Sequence, residues 1–244
     1  MYSIIIPLFN KEKSISNTVN SVLRQTYTDF ELLIINDGST DKSLEIINKI
    51  TDHRIRIINQ LNAGESSARN TGIKIAKNEY IALLDADDYW DDKYLEIMKK
   101  LVNDFPEASI YGCQLYCVNK NNREIINKLH SKRGIVENYF KDQITAPLVT
   151  SSSVIVKKEC FDGIGYFNTK LKRGGDLEMW VRLAKNFKIA FEPTPISYYV
   201  LDAENRACHN SPPLENFYLE DNFELKPYWE RKYFIKFILL LLSE

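Results

Sequence analysis

Glu31-Leu32-Leu33-Ile34-Ile35-Asn36-Asp37-Gly38-Ser39-Thr40-Asp41 is the stretch whose reading decides the fold class. An unbroken apolar run this short is a strand covered on both faces, because a half-exposed strand would alternate apolar with polar residues. Gly38 permits a tight turn at its end, and Ser39 to Asp41 supply capping side chains for a following helix. Residues 3–8, 54–59 and 80–84 repeat the apolar, β-branched pattern. Helical periodicity lies between them. Ile15, Val19, Val22 and Leu23 share one face of a first helix, and Leu44, Ile47 and Ile50 one face of a second. Strand alternating with helix predicts an α/β fold, a Rossmann-like, mostly parallel central sheet with helices on both faces.

Beyond residue 105 the pattern changes. Residues 109–118 read as a strand, 119–123 as a turn and 124–127 as a partner strand. Residues 150–156 read as a strand behind a serine triplet, 176–186 as an amphipathic helix, and 188–192 and 196–201 as closing strands. The organisation expected is a first half over 1–105, a second half of the same domain over 106–210, and a C-terminal helical extension over 211–244.

In a doubly wound sheet, ligands bind beyond the carboxyl ends of the strands. The residues there are Phe9-Asn10, Asp37-Gly38-Ser39, Asn62-Ala63-Gly64 and Asp85-Ala86-Asp87-Asp88. The carboxylates of the last group crowd one strand end. A hard divalent cation relieves that crowding, since Mg²⁺ or Mn²⁺ takes carboxylate, phosphate and water oxygens. The plainer alternative is a solvated acidic turn that caps the next helix. Asp37 suits either an Asx turn or an acceptor for a base N–H. Arg69 lies on the first turns of a helix opened by small residues, Asn62-Ala63-Gly64-Glu65-Ser66-Ser67-Ala68, where a guanidinium can face a diphosphate.

Pro7-Leu8-Phe9-Asn10, Asn36 to Asp41, Asn62-Ala63-Gly64 through Ala68-Arg69-Asn70, and Leu84-Asp85-Ala86-Asp87-Asp88 together resemble the successive motifs of family 2 glycosyltransferases, in that family's order. The resemblance implies a GT-A fold with Pro7, Phe9, Asn10, Asp37 and Arg69 around a nucleotide, usually uridine diphosphate. It places Asp85 and Ala86 near the ribose or metal and makes Asp87 a direct ligand of Mn²⁺ or Mg²⁺, with Asp85 beside it. More loosely, Gly163 to Asn168 and Gly174-Gly175-Asp176-Leu177-Glu178-Met179-Trp180-Val181-Arg182-Leu183 continue the likeness. The second segment is similar to the family's catalytic-base segment, with Asp176 at the base position and Gly175 where the family usually has Glu. Asp176 and Glu178 are therefore both candidates, and an N-cap with a first-turn charge is the structural alternative.

What the resemblance implies is an inverting, metal-dependent transfer of a sugar from a UDP-sugar to a hydroxyl of a glycan or lipid-linked glycan, in bacterial polysaccharide or lipopolysaccharide synthesis. A sugar nucleotidyltransferase and a non-catalytic nucleotide-sugar-binding relative are the competing readings. The former wants a glycine- and lysine/arginine-rich phosphate loop, which is absent after Ile6.

The net charge of -1 over 244 residues argues against wrapping nucleic acid. Cys113, Cys117, Cys160 and Cys208 have no CxxC spacing and read as reduced thiols of a cytoplasmic protein. Ser3-Ile4-Ile5-Ile6-Pro7 reads as a strand rather than as the basic, long apolar and small-residue pattern of a secretory leader, so secretion is not expected. His53, His130 and His209 read as surface residues, although Arg206 and His209 fall where the family has a mobile loop near the diphosphate. Residues 228–242 mix aromatics and cations ahead of an apolar run shorter than the ~20 residues of a spanning helix. Peripheral contact with the inner face of the cell membrane, packing on its own domain, and a homodimer contact are the three readings of that stretch.

Overall fold

The computed structural model describes residues 1–119, 123–125, 132–143, 147–171 and 174–205. The first half is β1 (Tyr2–Leu8), α1 (Ile15–Leu23), β2 (Phe30–Asp37), α2 (Ser43–Asn48), β3 (Ile55–Gln60), α3 (Glu65–Ile75), β4 (Tyr80–Leu83), β5 (Tyr89–Trp90) and α4 (Tyr94–Asp104). The second half is β6 (Ile110–Val118), β7 (Arg123–Ile125), β8 (Gly134–Ile135), α5 (Tyr139–Gln143), β9 (Val154–Lys157), α6 (Glu159–Ile164), α7 (Gly175–Asn186) and β10 (Ile189–Val200). One sheet in the order β3-β2-β1-β4-β9-β6-β10-β5 contains both halves. β7 pairs with β6, and β8 with β10, off that path.

The expected apolar runs are the parallel strands β3, β2, β1 and β4. β9 runs antiparallel to both β4 and β6, and β10 returns parallel to β6. Burial on both faces explains why these runs do not alternate. Ile4, Ile6 and Leu8 pack with Val19 and Val22 of α1, Ile47 of α2 and Met98 of α4. Ile5, Leu33 and Ile35 face the other way, onto Ala68 and Ile73 of α3 and onto Met179, Trp180 and Leu183 of α7. Each such buried aliphatic side chain contributes roughly 1.5–3 kcal/mol.

Several boundaries differ from the sequence reading. The closing strands expected at 188–192 and 196–201 are one strand, β10, whose register against β6 shifts between Glu192 and Ser197. Pro193 and Pro195 lack the N–H a ladder needs, so the chain bulges there instead of stopping. Residues 150–153 form a turn ahead of β9, because Ser153 and Thr150 hydrogen-bond to one another's side chain and backbone. β5 has no periodic signal of its own. It forms because Trp90 stacks on Tyr94 at 3.9 Å between ring centroids and donates to the Ser152 carbonyl at 2.7 Å.

Cys113 and Cys160 are buried and Cys117 is half-buried, with no disulfide among the described residues. No helix among the described residues is long and apolar enough to cross a membrane. Arg206, Cys208, His209, His130 and the extension 211–244, with its stretch 228–242, lie outside the described residues.

The approach of α3 to β1 fixes where Arg69 stands, and Gly72 makes that approach possible. A Cβ at Gly72 would lie 2.5 Å from Cγ2 of Ile5. Helix propensity alone favours alanine over glycine by roughly 0.5–1 kcal/mol. A stiff, β-branched neighbour in a full core reverses that sign. Gly72→Ala should therefore destabilise the protein by about 1–2 kcal/mol in urea unfolding, whereas a gain in stability would show that α3 can lift from the sheet at no cost.

Candidate active site

The carboxyl ends of β1, β2 and β4 open on one edge of the sheet, and the polar residues read from the sequence gather there. Pro7 is buried in β1 opposite Ile35, and Phe9, just past the strand, is 37% exposed. Asn10 has a positive φ of 51°, a conformation asparagine tolerates. Its Oδ1 accepts the backbone N–H of Thr40 at 2.8 Å, which ties the turn after β1 to the turn after β2.

Asp37 is buried and holds a loop. Its carboxylate accepts the N–H groups of Ala63 and Gly64, both at 2.9 Å, and Nε2 of Gln60 at 2.7 Å. The backbone of Asn62-Ala63-Gly64 is thereby fixed at the start of α3.

The acid turn divides into two parts, so the crowd of carboxylates expected at the strand end is smaller than its sequence suggests. Asp88 points into the protein, where it accepts Ser152 Oγ at 2.5 Å and the N–H of Val200 at 2.8 Å. Burial, then Asp87 and Asp85, push its carboxyl well above the ordinary range. Asp88 thus pins the turn to the segment before β9 and to the end of β10. Ala86 is also buried, and its carbonyl accepts Thr18 Oγ1 at 2.9 Å. Asp85 and Asp87 remain at the opening. Desolvation, with Asp85 adding to it, raises Asp87 against the pull of Lys11.

Arg69 is 3% exposed and bonds Asp85 Oδ1 through Nη2 at 2.7 Å; the same nitrogen meets the Glu65 carboxylate one turn back. Burial opposes its charge, but Glu65, Asp85 and Asp176 outweigh that cost and hold the guanidinium ionised. Its Nε has no acceptor among the described residues, a donor left over for an oxygen the protein does not supply. Desolvation in the cleft, then Asp85, Asp176 and Asp87, raise the Glu65 carboxyl despite Arg69. Water reaching its 47% exposed side chain moderates that rise.

The second half meets this cluster through Phe167 and α7. The Arg69 guanidinium lies 5.4 Å from the Phe167 ring centroid, and Trp180 packs edge-on against the same ring at 5.9 Å. The side chain of Asn70 holds the Phe167 backbone by two bonds of 2.8 and 2.9 Å. Gly175, where a Cβ would lie 2.8 Å from Ser66 Oγ, lets the start of α7 close on the start of α3. The N-cap position belongs to Gly174, not to Asp176. Asp176 is half-buried and makes no side-chain hydrogen bond among the described residues, while its charge is felt by Arg69 and Glu65. Glu178 is committed elsewhere. It pairs with Arg182, which donates to the carbonyls of Ile164 at 2.7 Å and Tyr166 at 2.8 Å.

Sequence reasoning missed Lys11, whose ammonium lies 2.6 Å from Asp87 Oδ2. Its place directly after Asn10 was the available signal. It also missed Glu204, whose carboxylate accepts the N–H groups of Lys13 and Ser14 at the start of α1.

No three His, Cys, Asp or Glu side chains among the described residues converge as a metal cage. Asp85 and Asp87 nevertheless offer hard oxygen donors of the kind that hold Mg²⁺ or Mn²⁺ when phosphate and water complete the shell, so the donor set fits a shared site.

The model of the family described as "Glycosyl transferase family 2" matches residues 3–165. The chain belongs to glycosyl transferase family 2. Among its relatives, chondroitin synthase of Pasteurella multocida is 31% identical over 213 residues, 86% of this chain and 22% of that protein. UDP-Glc:alpha-D-GlcNAc-diphosphoundecaprenol beta-1,3-glucosyltransferase WfaP of Escherichia coli is 50% identical over 91 residues, 37% of this chain and 36% of that one. The chain spans from 19% to 54% of the length of such relatives. The crystal structure of S. aureus TarS 1-349 in complex with UDP-GlcNAc superposes with a TM-score of 0.84 over 99% of this chain and 72% of that one, at 21% identity. The fold is thereby GT-A.

Removing the charge of Arg69 leaves carboxylates of both halves facing one another in the family 2 cleft. Arg69→Met should cost about 3 kcal/mol at pH 7, the low end for breaking a buried pair because water reaches Glu65. A carboxyl raised in the folded state carries its penalty above the folded pKa and loses it below the unfolded one. The deficit against wild type should therefore shrink as pH falls from 7 to 5 in chemical denaturation, and a deficit that grows with acid would refute the clustering.

Proposed function

We propose that this chain is an inverting glycosyltransferase that moves a sugar from a UDP-sugar to a hydroxyl of a glycan or lipid-linked glycan acceptor, in bacterial surface-polysaccharide synthesis. The observation that carries the reading is the position of Asp176. It stands at the start of α7 with no side-chain hydrogen bond among the described residues and within electrostatic reach of Arg69 and Glu65, while Glu178 is held by Arg182. The names of the relatives support the donor and acceptor classes.

Residues 1–105 bind the nucleotide, and residues 106–210 supply the acceptor side and the base. Pro7, Phe9 and Asn10 line the nucleotide edge, Asp37 fixes the Ala63-Gly64 backbone beside it, and Arg69 offers its spare Nε to a donor oxygen. Asp85, Ala86 and Asp87 shape the turn at the diphosphate, with the two carboxylates as the protein's share of a Mn²⁺ or Mg²⁺ site. The bound ion would offset the negative charge that develops on the leaving diphosphate. Asp176 accepts the proton of the acceptor hydroxyl as its oxygen attacks the anomeric carbon from the face opposite the diphosphate. A single displacement of this kind inverts that carbon. Residues 228–242, by their sequence, would bring the enzyme to the inner face of the membrane where a lipid-linked acceptor resides.

Asp176→Asn should lower kcat for transfer by about 10²–10⁴-fold with UDP affinity, read by calorimetry, within about twofold of wild type. Glu178→Gln should retain far more of the rate than Asp176→Asn, and the reverse ranking would move the base to Glu178. Asp87→Ala should abolish the gain in UDP affinity that Mn²⁺ provides; an undiminished gain would remove Asp87 from the metal site.

A further inference from the structure

The Lys11 ammonium is ringed by oxygens. Asp87 Oδ2 lies at 2.6 Å, the carbonyl of Glu204 at 2.6 Å and that of Asn205 at 3.1 Å, and the Lys11 side chain is only 12% exposed. The segment that supplies the two carbonyls is fastened to the turn after β1. The Glu204 carboxylate accepts Lys13 N at 2.9 Å and both N and Oγ of Ser14 at 3.1 Å, and Asn205 Nδ2 donates to the Phe9 carbonyl at 3.3 Å. These contacts fix the ammonium at Asp87 rather than leaving it in solvent.

A compact point charge surrounded by one carboxylate oxygen and two carbonyl oxygens occupies the kind of donor set that a small hard divalent cation takes. Two cations on one half-buried carboxylate repel each other across a few ångströms. We propose that Lys11 is a positioning residue of the transfer site whose ammonium competes with the divalent cation for Asp87. In the absence of donor it neutralises and orients that carboxylate. The metal takes over when it arrives with the diphosphate, whose oxygens add ligands that the protein alone does not provide. Entry of metal and nucleotide is coupled in this way. The inference rests on the metal reading of Asp87.

The test is titration of Mn²⁺ into the protein at saturating UDP, followed by electron paramagnetic resonance, for wild type, Lys11→Met, Lys11→Gln and Asp87→Asn. Thermal melts confirm that each variant is folded, and two replacements at Lys11 guard against the failure of one. Both Lys11 variants should bind Mn²⁺ more tightly than wild type, on the order of tenfold, the worth of one charge-assisted hydrogen bond, while Asp87→Asn loses binding. Binding confined to the Lys11 variants supports the proposal equally. Mn²⁺ affinity in both Lys11 variants equal to or weaker than wild type overturns it and leaves the metal reading intact. Absence of Mn²⁺ binding in every protein, wild type included, overturns the metal reading and this proposal together.

Discussion

A guanidinium that is 3% exposed needs anions around it, and the anions that Arg69 finds come from separate parts of the chain. Glu65 shares its helix, Asp85 lies just past β4, and Asp176 stands in the first turn of α7. The arginine is thus the charge at which the carboxyl ends of β1, β2 and β4 and the second half of the sheet meet. Phe167 lies over it, and Trp180 and Asn70 hold Phe167. Without that cation, the carboxylates would repel across the cleft and the start of α7 would have no electrostatic reason to sit beside the start of α3.

Glycine and buried acid set the distances over which this works. Gly72 seats α3 on Ile5, and Gly175 seats α7 on Ser66, so two helix starts come close enough for Asp176 to influence Arg69. Asp37 and Asp88 are spent on architecture, the first on the Ala63 and Gly64 amides and the second on Ser152 and Val200. Their burial leaves Asp85 and Asp87 as the acids that face outward. A glutamate at 175, the residue the family usually has, would meet Ser66 in this packing.

The parallel half of the fold was legible in the sequence because strands buried on both faces are continuous apolar runs, and Leu32 to Ile35 is such a run. The strand-end rule likewise located Asn10, Asp37 and the acid turn. The register shift of β10 was not legible, since prolines at 193 and 195 read as a break when neighbouring strands are unknown. β5 depends on Trp90 reaching Ser152 and Tyr94, contacts that no local pattern encodes. The inward turn of Asp88 and the reach of Lys11 to residues 204 and 205 depend in the same way on partners far along the chain. The pairing of Glu178 with an Arg182 that is fastened to Ile164 and Tyr166 was not legible either.

In the proposed reading, the acid turn and Asp176 flank a single reaction centre organised by Arg69. A crystal structure with UDP and Mn²⁺, the metal located by its anomalous scattering, tests this most directly. The expected result is a manganese peak between the diphosphate and Asp87, the nucleotide along the carboxyl ends of β1 and β2, and the Asp176 carboxylate on the side of the cleft away from the metal. A nucleotide bound at another edge of the sheet, or a manganese peak remote from Asp85 and Asp87, would contradict it.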